Sequence, residues 1–129
     1  MKHLIKVEIP KTDNIILELD CQLAPKTVDL FIKSIPFKVG INVWGQEIYT
    51  DPSPVKTDKE NAKAVVDLFD VAYWPSGDAI CLFYGPTPIG TKNQIKPYSP
   101  VNVIGKIKNP DVSIISKVKA GTKATFSKA

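Results

Sequence analysis

The stretch Leu4-Ile5-Lys6-Val7-Glu8-Ile9 alternates apolar with mostly charged side chains, and Ile15-Ile16-Leu17-Glu18-Leu19 resumes the pattern after Lys11-Thr12-Asp13-Asn14. A period of two places Ile5, Val7 and Ile9 on one face of an extended segment, and Ile15, Leu17 and Leu19 on one face of the next. Two such runs joined by a short polar turn predict a β-hairpin. The same alternation recurs at Phe37, Val39, Ile41 and Val43, and Gln46 to Thr50 reads as a further strand after Gly45. Between these lies Ala24-Pro25-Lys26-Thr27, followed by Val28, Phe31, Ile32 and Ile35 at helical spacing. Proline suits a first helical position, so one short helix over 25–34 is expected, ending before Pro36.

Downstream, residues 51–61 form a polar loop dense in turn residues, and Lys63 to Trp74 reads as one or two strands broken near Phe69-Asp70. Pro75-Ser76-Gly77-Asp78 is a turn, and Ala79 to Gly85 is a nearly continuous apolar run, the pattern of a fully buried strand. A second long loop runs from Gly85 to about Pro97. Val101, Val103 and Ile107 mark another strand, in which Gly105 signals a bulge or a close backbone approach. Pro110-Asp111 starts a brief helix through Val118, and Ala124-Thr125-Phe126 forms the last strand. The pattern predicts an all-β fold: a closed barrel of about eight strands, with two short helices capping its ends, because closure removes exposed sheet edges. The 129 residues suit one domain, 1–129.

Composition narrows the function classes. With 43% hydrophobic and 23% charged residues, the chain lacks the low-hydrophobicity signature of disorder. All 17 basic side chains are lysine, and no arginine is present, so planar bidentate guanidinium recognition is excluded. Residues 1–89 hold nine lysines against twelve acids, whereas 90–129 hold eight lysines against Asp111 alone. The C-terminal lysines stand singly among apolar residues, the pattern of a solvated face rather than a nucleic-acid surface. No apolar run is long enough to span a bilayer, and the N-terminus lacks a signal-type apolar region, so a cytoplasmic protein without a membrane partner is expected. A lysine-only basic complement also fits a thermophilic or AT-rich source. Cys21 and Cys81 read as buried thiols, and their pairing is left open. With a single histidine, His3, and no Cys-x-x-Cys, no metal site is expected. No phosphate loop, dinucleotide glycine motif or serine nucleophile elbow is present, so neither a cofactor nor a catalytic residue is assigned.

Leu17-Glu18-Leu19 followed by Ala24-Pro25-Lys26-Thr27-Val28-Asp29-Leu30-Phe31 resembles the first strand pair and helix of cyclophilins. Val101-Asn102-Val103-Ile104-Gly105-Lys106-Ile107 resembles the cyclophilin strand that precedes the second helix. A closer resemblance is to the prokaryotic cyclophilin-like family of small, mostly uncharacterised barrels. It is carried by Trp44-Gly45-Gln46-Glu47-Ile48-Tyr49, Asp70-Val71-Ala72-Tyr73-Trp74-Pro75, Leu82-Phe83-Tyr84-Gly85-Pro86-Thr87-Pro88 and Ser99-Pro100-Val101-Asn102-Val103-Ile104-Gly105. The cyclophilin resemblance implies a prolyl isomerase fold in which an arginine polarises the prolyl amide beside an apolar pocket, electrostatic stabilisation being what accelerates the rotation. The segment where that arginine would lie reads Ile41-Asn42-Val43-Trp44-Gly45-Gln46-Glu47, and Glu47 has the opposite charge.

Two constellations are candidates for a site. Glu47 and Tyr49, two apart in a strand, share a face; with Trp44 they would make an aromatic wall bearing one carboxylate, suited to a cationic or hydroxylated group. A bulge at Gly45 would decide the side on which Trp44 falls. Tyr73-Trp74 and Phe83-Tyr84-Gly85-Pro86-Thr87 end neighbouring strands and run into proline loops, where barrels build their mouths. The expected function is therefore a non-catalytic barrel whose aromatic mouth holds a small molecule or a proline-containing peptide. A weak arginine-independent isomerase and a homo-oligomeric structural module are the alternatives. Asp70 and Asp78 flank the Tyr73-Trp74 segment as an acid–base pair or as turn residues.

Overall fold

The computed structural model describes residues 1–91 and 93–129. Its strands are β1 (Lys2–Glu8), β2 (Ile15–Asp20), β3 (Phe37–Trp44), β4 (Glu47–Thr50), β5 (Asp70–Trp74), β6 (Ala79–Phe83), β7 (Asn102–Lys108) and β8 (Lys123–Lys128). Helices α1 (Pro25–Ser34) and α2 (Val112–Ile115) complete the fold. The strands close into a barrel in the order β1-β2-β7-β5-β6-β4-β3-β8, every pair antiparallel. The opening hairpin pairs Ile5 with Leu17 and Val7 with Ile15, which sends the alternating apolar residues of both strands inward.

The barrel interior is filled. Ile5, Leu17 and Leu19 meet Ile48, Val71, Tyr73, Ile80, Leu82 and Ile104 in one buried cluster. Helix α1 adds Val28 and Phe31 to it; Phe31 meets Phe37 and Phe126 edge-on at centroid separations of 5.7 and 6.1 Å, while those two stack at 5.0 Å. No side chain of its own N-cap residue, Ala24, caps α1. Glu60, from the polar loop, accepts instead from Lys26 N–H (3.0 Å) and Thr27 N–H (2.9 Å), so an anion meets the positive end of the helix. Those bonds outweigh the opposing desolvation and hold the Glu60 carboxyl below its ordinary range.

The bulge and the close approach expected near Gly105 both occur. The β5–β7 register shifts between Val71, opposite Gly105, and Ala72, opposite Val103, leaving Ile104 as the extra residue. A Cβ on Gly105 would collide with the backbone of Glu18 and lie 2.8 Å from Leu19 Cα, so the β2–β7 contact leaves no room for a side chain.

Residues 63–69 differ from the strand expected there. The segment makes single bridges, Lys63 to Val101 and Val66 to Ile95, with Val65 and Leu68 exposed. Phe69 then takes a left-handed φ of 68° to enter β5. The brief second helix is also shorter than expected, one turn over Val112–Ile115, its N-cap Asp111 accepting from Ser113 N–H. Both cysteines are free: Cys81 is buried and Cys21 only partly so. No helix among the described residues is long and apolar enough to cross a membrane.

Candidate functional site

Strand β6, Ala-Ile-Cys-Leu-Phe, has no polar alternation and is buried on both faces. Ile80 and Leu82 enter the barrel core. Cys81 and Phe83 face outward into a second apolar cluster with Val66, Ala72, Val101 and Val103, against which Tyr49, Trp74 and Ile95 pack. Residues 84–91 and 93–101 form the cover. They are tied down where Tyr84 N–H donates to Gln46 O, Gln46 N–H to Pro86 O, Val66 N–H to Ile95 O, and the Thr87 hydroxyl to Lys96 O.

One cavity of about 180 Å³ opens between this cover and the outer wall of β4–β6–β5, lined by Trp44, Glu47, Tyr49, Trp74, Cys81, Pro97, Tyr98 and Val101. The hairpin register explains its first wall. Trp44 pairs directly with Glu47 across the turn Gly45-Gln46, so a tight turn with Gly45 at φ +60°, not a bulge, sets both side chains on the outer face. Tyr49 follows on the same face two residues on, opposite Cys81. The opposite wall is Trp74, whose indole N–H donates to the Ser99 hydroxyl. Tyr98 forms the lip: 73% exposed, it stands edge-on to both tryptophans at 6.1 and 6.0 Å.

Glu47 is the one acid among these residues and is only 5% exposed. Its Oε1 is buried without a hydrogen-bond partner. Burial raises its pKa from 4.5 to about 7, and the neighbouring Cys81 thiol, a weak donor, offsets little of that. The thiol itself is pushed well above its ordinary value by burial and then by the adjacent carboxyl, which removes it as a nucleophile. No cluster of three or more potential metal ligands occurs among the described residues.

A family model described as Cyclophilin-like matches residues 3–127. The chain belongs to the cyclophilin-like family. It is also similar to the solution structure of a hypothetical protein from Archaeoglobus fulgidus, at 37% identity over 99% of this chain and 95% of that one, with a TM-score of 0.82. No curated protein matches it.

Within this cyclophilin-like barrel, the two candidate constellations merge only in part. Trp44, Glu47, Tyr49 and Trp74 come together. The cavity they share lies on the outer wall, not at the expected barrel mouth, because the barrel interior is packed solid. Tyr73 points inward, since adjacent strand residues face opposite sides; its hydroxyl donates to Asp78 and receives Thr57 N–H, and burial raises its pKa to about 12. Phe83 is fully buried beneath the cover, and Tyr84 packs with the main core. Gly85 lies against Gln46, Pro86 is exposed, and Thr87 is buried on Lys96 O. Asp70 pairs with Lys106 and Asp78 with Lys56 and Tyr73, so each has its own structural partner and neither lines the cavity. Cys81, Pro97, Tyr98 and Val101 are lining residues that the sequence reading did not select. The unalternating apolar run of β6 was the signal that something covers its outer face.

The Glu47 environment makes stability fall with rising pH. The folded carboxyl keeps its proton to about pH 7, whereas the unfolded one loses it near 4.5, so between these values the unfolded state binds fewer protons and folding weakens. The full difference is about 3 kcal/mol, complete above pH 7. Urea denaturation at pH 5 and pH 8 is expected to show this fall in the parent and its loss in Glu47→Gln; parallel pH dependence in both proteins would remove Glu47 as its source.

Proposed function

We propose that this cyclophilin-like barrel is a non-catalytic binding protein that holds a small molecule in the cavity beneath the cover that follows β6. The observation that carries this reading is the buried Glu47 carboxyl, left with an unpartnered oxygen in a recess otherwise walled by aromatic and apolar groups. A buried polar atom without a partner costs about 1–3 kcal/mol, which a bound donor would recover. Recesses of this composition, apolar with one polar group that sets orientation, are the usual form of small-ligand sites. At about 180 Å³ it is smaller than the ~300–1,000 Å³ of drug-sized pockets, so a small molecule or a single head group suits it.

Prolyl isomerisation fits these residues less well. The chain contains no arginine to polarise a prolyl amide, and this recess presents an acid. A peptide-coupled assay at high protein concentration is expected to return the uncatalysed rate.

A thermal-shift screen of small polar and aromatic compounds on the parent and on Trp44→Ala tests the binding reading. Trp44 ends β3 and is half-buried, so its loss leaves the barrel core intact. Compounds that raise the midpoint of the parent are expected to lose most of that shift in Trp44→Ala. Equal shifts in both proteins would contradict the reading.

A further inference from the structure

We propose that the cavity is a cage for an alkylated ammonium group, specifically one that keeps a single N–H, such as the protonated head of a tertiary amine. This rests on the binding reading above and names the ligand class for the same recess.

Trp44, Trp74, Tyr98 and Tyr49 all line the cavity, and the Tyr98 ring lies edge-on to both tryptophans with its centroid about 6 Å from each. Aromatic faces carry negative quadrupole density and attract a cation, most strongly when it is poorly hydrated, as alkylated ammonium groups are. Neutral aromatic ligands would also fill such a space. What separates the two is Glu47, a carboxyl nine-tenths or more buried at the same cavity, with Oε1 unpartnered. No amine, imidazole or other basic group is present among the described lining residues to neutralise it. The titratable groups that share the cavity with it are the Cys81 thiol on β6, the Tyr49 phenol on β4 and the Tyr98 phenol at the lip.

The same inventory sets the degree of alkylation. A primary ammonium has three N–H donors and needs three acceptors. Among the described residues, the one buried side-chain acceptor without a partner is Glu47 Oε1, and the Trp74 indole is itself a donor already spent on Ser99. A trialkylated ammonium places its one N–H on the carboxylate and its methyl groups on the rings, leaving no donor stranded. A quaternary ammonium keeps the attraction to the rings but loses that bond.

Binding a cation requires the carboxyl ionised, so a proton held by Glu47 must leave as the ligand enters. Because that carboxyl titrates near pH 7, affinity is expected to rise about tenfold between pH 6 and pH 8. The chain has two tryptophans, Trp44 and Trp74, and both line the cavity, so intrinsic tryptophan emission reports on this site alone.

The test titrates the full chain with trimethylammonium, tetramethylammonium and methylammonium chlorides, and with tert-butanol as a neutral molecule of similar shape. The expected order is trimethylammonium tightest, tetramethylammonium next, and methylammonium and tert-butanol weaker by tenfold or more. The pH dependence should appear for the cations and not for tert-butanol. Glu47→Gln is expected to lower trimethylammonium affinity by tenfold or more at pH 8 and to abolish the pH dependence, and Tyr98→Leu, at an exposed position that tolerates exchange, to weaken trimethylammonium several-fold more than it weakens tert-butanol. If tert-butanol binds as tightly as trimethylammonium, or if Glu47→Gln keeps the parent's trimethylammonium affinity and pH dependence, the cation assignment is overturned while the binding reading stands. If none of the four probes nor any compound from the thermal screen perturbs the tryptophans, both fail.

Discussion

Phe31→Ala is expected to lower the unfolding free energy by about 3–5 kcal/mol, the range for deleting a fully buried aromatic side chain. Phe31 has no exposed surface and closes a triad with Phe37 of β3 and Phe126 of β8, so its loss leaves a cavity between three elements that the neighbouring rings cannot fill without breaking their own stack. The consequence is larger for the helix than for the barrel. Helix α1 is 10 residues long, too short to persist without tertiary packing, and it buries Thr27, Val28 and Phe31. Urea denaturation followed by far- and near-ultraviolet circular dichroism should show a lower midpoint with an unchanged slope, and Phe31→Leu should recover part of the loss. A cost below about 1 kcal/mol would mean that the triad does not anchor the helix.

Asn102→Ala carries the second large effect, about 3 kcal/mol, through polar groups and not through volume. The fully buried Asn102 side chain accepts Glu60 N–H at 2.8 Å and donates to Asp58 O at 3.0 Å and to the Thr27 hydroxyl at 3.1 Å. One amide thus joins β7, the polar loop and the start of α1, the same place where Glu60 caps the helix. Truncation strands a loop N–H and a carbonyl together, and each unmade bond of this kind costs about 1–3 kcal/mol. The effect should reach the site, because Lys63 and Val101 exchange backbone hydrogen bonds one residue away and Val101 is a cavity wall. Denaturant midpoints measure the first effect, and hydrogen exchange at the Glu60 and Lys63 amides measures the second. Unchanged protection at those amides would show that the loop is held by other contacts.

Most of the barrel was legible because its strands have one wet face. Lys6 and Glu8 against Ile5 and Val7 leave no doubt about which side is buried, and Pro25 marks the first turn of α1. Legibility failed where a second layer covers the wall. Val65, Val66 and Leu68 look like strand residues, yet only Val66 is buried, by a loop that sits thirty residues later in the chain. Tyr98 carries no periodic signal between Pro97 and Pro100, and only the fold reveals that it spans the gap between two tryptophans. Cys81 was readable as an inert thiol but not as the neighbour of a buried acid, because its pairing with β4 is a matter of register. The Tyr73-Trp74 pair shows the reverse: strict alternation already requires that only one of them share a face with Glu47 and Tyr49. The absence of arginine, visible in the composition, acquires its meaning at the site, where this member of the cyclophilin-like family places a buried carboxyl among aromatic rings.

The claim that this outer-wall recess is where the protein binds its ligand is tested most directly by nuclear magnetic resonance. A nitrogen-15-labelled sample would be titrated with the compound giving the largest thermal shift. Saturable movement of the Trp44 and Trp74 indole signals together with the Glu47 and Cys81 amides is expected, while Leu17 and Ile5 in the opening hairpin stay fixed. Saturable shifts elsewhere, for instance around Pro110 and Ile115, with both indole signals unmoved, would contradict it.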